Sequence, residues 1–133
     1  MRTIVLVVAV VWLAACQPMA TPAPTATADQ AALVAEGQER LAVLSESIAG
    51  RLDALDGDAA LLQDGAWRRA LVVDLREAAL LAESLAMRTV DRPAALRAVA
   101  GAYGWLADSV DTGDWIGMAS AVFALGEAQQ GLR

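Results

Sequence analysis

The stretch PAALRAVAGAYGWLADSV, residues 93–110, contains the clearest structural pattern in the chain. Its large apolar side chains recur at alternating spacings of three and four residues: Leu96, Val99, Tyr103, Leu106 and Val110. An α-helix has 3.6 residues per turn, so this spacing places all five on one helical face. Pro93 suits a first helical turn, and Gly113 marks the end of the pattern. The stretch therefore predicts an amphipathic helix whose apolar stripe packs against other elements.

Two helices are predicted upstream of this stretch. The first begins after Asp29, a suitable N-cap, and ends at Gly57. Its apolar stripe consists of Val34, Leu41, Leu44, Ile48, Leu52 and Leu55. The second follows a short turn containing Leu61, begins at Asp64 and ends at the break 88–92. Its inward-facing residues are Trp67, Leu71, Leu75, Ala78, Ala82 and Leu85.

A fourth helix is predicted after Gly113, with Asp114 as its N-cap. Its core spacing is formed by Trp115, Met118, Val122 and Leu125, and its apolar face is widened by Ile116, Ala119 and Phe123. Four amphipathic helices with short links bury their stripes most economically on one another. We therefore predict an all-α, up-and-down four-helix bundle for residues 29–133. The similar links at 53–58 and 108–114 fit either ordinary helix capping or a repeat of two helical hairpins.

The N-terminal segment is predicted to be a processing signal. Residues 1–3 give a short positive start, and residues 4–13 form an apolar run. About 20 apolar residues are needed to span a bilayer, so this run is too short. The small residues Ala14 and Ala15 come next, before Cys16 and a polar Gln17-Pro18 pair. The order of these features indicates cleavage immediately before or near Cys16.

The sequence Leu13-Ala14-Ala15-Cys16 resembles the lipobox of bacterial lipoproteins. The resemblance covers residues 1–16 only. It implies that residues 1–15 are removed, that the thiol of Cys16 is diacylated, and that the domain is anchored to the cell membrane or outer membrane on its extracytoplasmic side. From the residues alone, a secreted protein with a free thiol and a core cysteine behind an anchor remain alternatives. An intrachain disulfide is excluded, because Cys16 is the only cysteine.

Residues 16–28 are predicted to be the lipidated cysteine and a flexible tether. The stretch QPMATPAPTATA, residues 17–28, holds three of the four prolines and shows no apolar period. At about 3.1 Å per residue, twelve extended residues reach roughly 37 Å. Loss of Arg2 with the leader changes the net charge from −6 to −7. We expect the domain to stand away from the membrane and to gain nothing electrostatically from anionic lipid.

Composition excludes several classes of function. The chain has 16 acidic and 10 basic residues, and nucleic-acid binding requires a basic surface. The chain has no histidine, and the lipobox resemblance implies that its one cysteine is acylated. It would then lack the usual ligands of zinc, haem and di-iron sites and the bases of hydrolytic triads. We expect no metal, no cofactor and no enzymatic activity.

Three acidic patterns could still suggest chemistry. Asp111-Thr112-Gly113 matches the local motif of aspartic proteases, but it occurs once and at a predicted helix end. The spacing of Asp108, Asp111 and Asp114 does not reproduce a calcium loop. Glu36 with Glu39 or Glu77 could pair in principle, but neighbouring arginines favour solvated ion pairs. Helix capping and surface ion pairing are the preferred interpretations.

The aromatic residues provide the remaining candidate site. Trp67, Tyr103 and Trp115 lie on the predicted core faces, and Trp105 lies beside one. They either pack in the core, or Trp105 and Trp115 line a groove for a protein partner or an apolar ligand. The predicted function is binding or scaffolding by a lipid-anchored envelope protein, with a protein partner of unknown identity. The alternative is a periplasmic carrier or sensor of a small apolar ligand, which requires a cavity of at least a few hundred Å³.

Overall fold

The computed structural model describes residues 27–133, and four α-helices account for most of them. These are α1 (Ala28–Gly57), α2 (Gly65–Arg88), α3 (Pro93–Thr112) and α4 (Trp115–Gln130). A short 3₁₀ helix, Ala59–Gln63, lies between α1 and α2. No strand occurs within the described range. The prediction of an all-α four-helix bundle is confirmed.

The helices pack in chain order. The most extensive contacts join α2 to α3, α4 packs on α3, and α1 packs on α2. The links between α2 and α3 and between α3 and α4 are short, which forces neighbouring helices to run in opposite directions. The predicted boundaries at Gly57, Asp64 and Gly113 agree with the structure.

The N-cap of α1 differs from the prediction. Thr27 is the N-cap, and its hydroxyl oxygen accepts a hydrogen bond from the backbone N–H of Gln30 at 3.2 Å. Asp29 lies instead inside the first turn, where its negative charge interacts favourably with the positive end of the helix dipole. A threonine caps a helix as an aspartate does, and Ala28 is a strong helix former, so α1 extends further toward the N-terminus than predicted.

Aspartates cap α2 and α4, whereas the N-cap of α3 is Arg92, which makes no side-chain capping hydrogen bond. The Asp64 carboxylate accepts from the backbone N–H groups of Ala66 and Trp67 at 2.9 and 3.2 Å. The Asp114 carboxylate accepts from the N–H of Gly117 at 3.0 Å. Gly113 ends α3 with a φ of 72°, a left-handed conformation that side chains disfavour. These contacts explain the acid- and glycine-rich links by capping chemistry; an ancient hairpin repeat stays a prediction.

The buried faces of α1, α2 and α3 agree closely with the predicted stripes. All five apolar residues of the α3 pattern are buried, and four of them are fully buried. The core positions predicted for α2 are buried except Trp67, which is half-buried against the core. In α1, Leu41, Ile48 and Leu55 are buried, and the remaining predicted positions pack at the core margin.

The predicted face of α4 is partly wrong. Trp115 does not lie in the core, and Ile116, Ala119 and Phe123 are exposed rather than widening the buried face. The buried face consists of Gly117, Met118, Ala121, Leu125 and Gln129. The physical reason is composition: residues 115–126 contain no charged side chain, so periodicity does not indicate which side of α4 faces water. The small residues Gly117 and Ala121 allow α4 to pack closely against α3, which Ile116 and Phe123 on the opposite side would not allow.

Candidate functional site

The most distinctive surface of the bundle is the solvent-facing side of α4. Ile116 is 81% exposed, Phe123 63% and Trp115 48%, and Ala119 lies between them. Ile116, Ala119 and Phe123 follow helical spacings of three and four residues, so they share one side of the helix. We call these four residues the α4 outer face. They form an apolar surface without a charged side chain, whereas the exposed apolar residues of α2, such as Val73 and Leu80, lie among charged ones.

The turn before α4 holds this face in a fixed position. Asp114 caps the helix through the N–H of Gly117, and the N–H of Asp114 itself bonds to the carbonyl of Ser109 at 2.9 Å. Gly117 is buried so tightly that a Cβ atom there would collide with the Asp114 carboxylate and the Ser109 hydroxyl. Trp115 and Ile116 therefore extend from the first turn of a firmly capped helix.

The predicted tryptophan groove is not evident as a cavity. Trp105 is 47% exposed on α3 and Trp115 48% exposed on α4. Neither borders the cavity between α1, α3 and α4. Their exposure is compatible with partner contact, because tryptophan combines a large apolar area with a polar N–H group. The groove formed by Trp105 and Trp115 thus stays a prediction.

A small cavity lies between α1, α3 and α4. Its walls are Ser45, Ile48, Ala49, Leu52, Tyr103, Val122 and Leu125. Its volume is about 10 Å³, which is roughly the space that one water molecule needs. A carrier of a drug-sized molecule needs a cavity on the order of 300 Å³ or more. This cavity therefore gives no support to the carrier alternative.

A buried hydroxyl pair borders the cavity and joins α1 to α3. The Ser45 hydroxyl donates to the Leu41 carbonyl at 2.8 Å, and its oxygen lies 2.7 Å from the Tyr103 hydroxyl. Because the single serine proton is used on Leu41, Tyr103 donates to Ser45. These hydrogen bonds satisfy polar groups in the bundle centre and link α1 to α3.

The side chain of Gln129 is also polar and buried, but it makes no hydrogen bond. Gln129 is 1% exposed, and neither its amide nitrogen nor its amide oxygen has a hydrogen-bond partner. Burying an amide without a partner costs free energy. Gln129 occupies the next core position of α4 after Leu125, where an apolar residue is expected from the helical pattern. The only sequence signal for Gln129 is a polar residue at a core spacing of α4.

The charged residues form ion pairs between helices. Arg40 on α1 pairs with Glu77 on α2, and Arg51 pairs with Asp74 at 3.3 Å. The predicted solvated pairing of Glu77 with an arginine is confirmed. Partly or fully exposed pairs of this kind contribute little to stability.

The aspartates at the end of α3 also pair with an arginine. Arg76 on α2 lies 3.8 Å from both Asp108 and Asp111. Asp111 therefore faces an arginine and not another aspartate, as an aspartic-protease site would require. The Asp111-Thr112-Gly113 motif lies at the end of a helix. Across residues 27–133, no group of three or more histidine, cysteine, aspartate or glutamate side chains is arranged to hold a metal ion.

Three further findings bear on function. Within the part of the chain that the structure describes, none of the helices combines the length and hydropathy needed to cross a bilayer. Cys16, the predicted signal peptide and residues 16–26 of the predicted tether lie outside the described residues. The chain matches no protein-family model, no curated protein and no solved structure.

Proposed function

We propose that this chain is a lipid-anchored protein of the cell envelope whose helical bundle binds a protein partner and acts as a scaffold, not as a catalyst. The sequence Leu13-Ala14-Ala15-Cys16 supports the anchor, since it resembles a lipobox. Diacylation of Cys16 would supply two acyl chains, and two chains are needed for stable attachment without a spanning helix. The partner binds the bundle on the extracytoplasmic side of the membrane.

The observation behind the binding role is the α4 outer face. Isolated apolar side chains on a surface need no explanation, but a contiguous group of them marks an interaction site. This face combines two aromatic side chains with a complete absence of charge between residues 115 and 126. Interface centres are likewise poor in charge and rich in aromatic residues. An apolar surface on a partner would cover Ile116 and Phe123.

The partner surface is tested by site-specific photo-crosslinking in the host membrane. A photoreactive amino acid at Ala119 of the full chain should give one discrete adduct with a partner. The double substitution Ile116→Ser with Phe123→Ser should abolish the adduct, because it removes the two largest exposed apolar groups of the face. Val43→Ser on α1 is the matched control, since Val43 is also 63% exposed.

The control variant should give the same adduct as the unmodified chain. Absence of any adduct at residue 119, with the chain present in the membrane, would contradict the binding role of this face. An adduct of twice the mass of the chain would identify a second copy as the partner. An adduct lost equally in the control variant would show that the effect is not specific to the α4 outer face.

A further inference from the structure

One end of the bundle gathers the start of α1, the end of α2, the start of α3 and the end of α4. The side-chain amide of Gln30 donates to the carbonyl of Arg88 at 3.5 Å, and Gly131 lies against Ala95. We call Thr27–Gln30, the link 88–92 and residues 131–133 the entry end, because the preceding chain joins the bundle at Thr27. The opposite end, formed by the links 53–64 and 108–114, is called the acidic end.

Charge is distributed unequally between these ends. The acidic end contains seven carboxylates and, within its two links, no basic residue: Asp53, Asp56, Asp58, Asp64, Asp108, Asp111 and Asp114. Arg76 compensates two of them only at 3.8 Å. The entry end contains three exposed arginines and two aspartates: Arg88, Arg92, Arg133, Asp29 and Asp91. Arg92 lies 3.9 Å from the Asp91 carboxylate, so the excess of positive side-chain charge is a single unit. The net charge of the chain is therefore a poor description of the surface at the entry end.

The two ends are far enough apart for their charges to act independently. Helices of 20 and 24 residues, at about 1.5 Å per residue, separate the ends by roughly 30 Å. The Debye length at physiological ionic strength is about 8 Å. A negatively charged surface in contact with the entry end is thus screened from the acidic end. The expectation that the domain gains nothing from anionic lipid is based on its total charge, and the entry end has a different local charge.

Apolar side chains accompany the arginines at the entry end. Val90, in the link between α2 and α3, is 79% exposed, and Met87 in the last turn of α2 is 70% exposed. Arg88 and Arg92 flank Val90, and Arg92 holds a left-handed φ of 52° where the link turns into α3. Apolar groups that enter the interface, next to basic groups that meet phosphates, are the features of a surface that rests on a membrane.

We propose that the entry end docks on the anionic lipid surface to which Cys16 is anchored, with Met87 and Val90 in the interface and Arg88 and Arg92 at the headgroups. This inference rests on the proposed lipid anchor. If residues 17–26 are extended at about 3.1 Å each, they span roughly 31 Å, and a more compact path would bring the entry end to the surface. The acidic end then points away from the membrane.

The docking is tested with the full lipid-modified chain in vesicles of three parts phosphatidylethanolamine and one part phosphatidylglycerol. Cys16 is the only native cysteine and its thiol would be acylated, so Val90→Cys accepts a single nitroxide label. Asp56→Cys, at the acidic end, is the matched control. Power saturation by oxygen and by a soluble nickel chelate measures the depth of each label. We expect the oxygen-to-nickel accessibility ratio at residue 90 to exceed that at residue 56 several-fold.

Two comparisons isolate the role of the arginines. The ratio at residue 90 should fall in vesicles of phosphatidylcholine, and it should fall when Arg88→Gln is combined with Arg92→Gln. The pair Arg68→Gln with Arg69→Gln removes the same charge near the acidic end and should leave the ratio unchanged. A ratio that is insensitive to lipid charge and to the first pair would contradict docking on anionic headgroups.

Flotation of the same vesicles separates this inference from the anchor on which it rests. A chain that does not float with the vesicles contradicts the lipid anchor and the docking together. A chain that floats, with residues 90 and 56 equally accessible to nickel, retains the anchor and overturns the docking.

Discussion

Leu106 lies at the centre of the α3 pattern and has no exposed surface. Leu106→Asp should prevent cooperative folding, because a carboxylate would be buried without a partner. We expect a loss of more than about 4 kcal/mol in the free energy of unfolding. Thermal unfolding followed by circular dichroism measures it. Ala98→Asp, exposed on the same helix, should melt nearly as the unmodified chain does. Retained cooperative melting of Leu106→Asp would show that the core lies elsewhere.

Gln129 gives a prediction in the opposite direction. Gln129→Leu should stabilise the bundle by about 1–3 kcal/mol, because it replaces a buried amide without hydrogen-bond partners by an apolar group of similar size. The adjacent Gln130 is exposed, so Gln130→Leu should leave stability nearly unchanged. Urea unfolding of the two variants provides the comparison. A destabilised Gln129→Leu would mean that the amide forms hydrogen bonds in the native protein.

At the scale of the element, the N-cap of α2 offers a direct test. Asp64→Ala removes two hydrogen bonds to backbone N–H groups of the first turn and should cost about 1 kcal/mol. Asp56 is exposed in the last turn of α1 and accepts no hydrogen bond from that helix. Asp56→Ala should therefore be neutral or slightly stabilising, since an acid is unfavourable near a helix C-terminus. Equal losses in urea unfolding would argue against the capping role.

The elements also show where sequence reasoning works and where it stops. Apolar residues at spacings of three and four indicated the buried sides of α1, α2 and α3. Aspartates and glycines marked the links between the helices. In α4 the same reasoning failed, because apolar residues surround the helix and none of its first twelve positions is charged. Only packing against α3, through small residues such as Gly117 and Ala121, decides which side is buried. The α4 outer face could not be predicted for that reason.

At the scale of the whole molecule, the two ends and the outer face of the bundle have different properties. The entry end exposes Met87 and Val90 and has a small excess of arginine over aspartate, the opposite end is acidic, and the α4 outer face is apolar without charge. The up-and-down order of the helices follows from the short links and could be predicted. The exposure of Val90 and Met87 could not, since it depends on how the link 88–92 closes between α2 and α3. The lipidation of Cys16 lies outside the described residues and stays a prediction from the sequence.

The lipid anchor is the central claim, and its most direct measurement is the intact mass of the protein recovered from cells fed a clickable fatty-acid analogue. We predict a chain that begins at Cys16, contains fatty acid and sediments with membranes. Cys16→Ser should give a chain without fatty acid that is not processed in the same way, because the serine lacks the thiol that is acylated. A Cys16→Ser protein with the same processing, the same fatty-acid incorporation and the same membrane association would contradict the account.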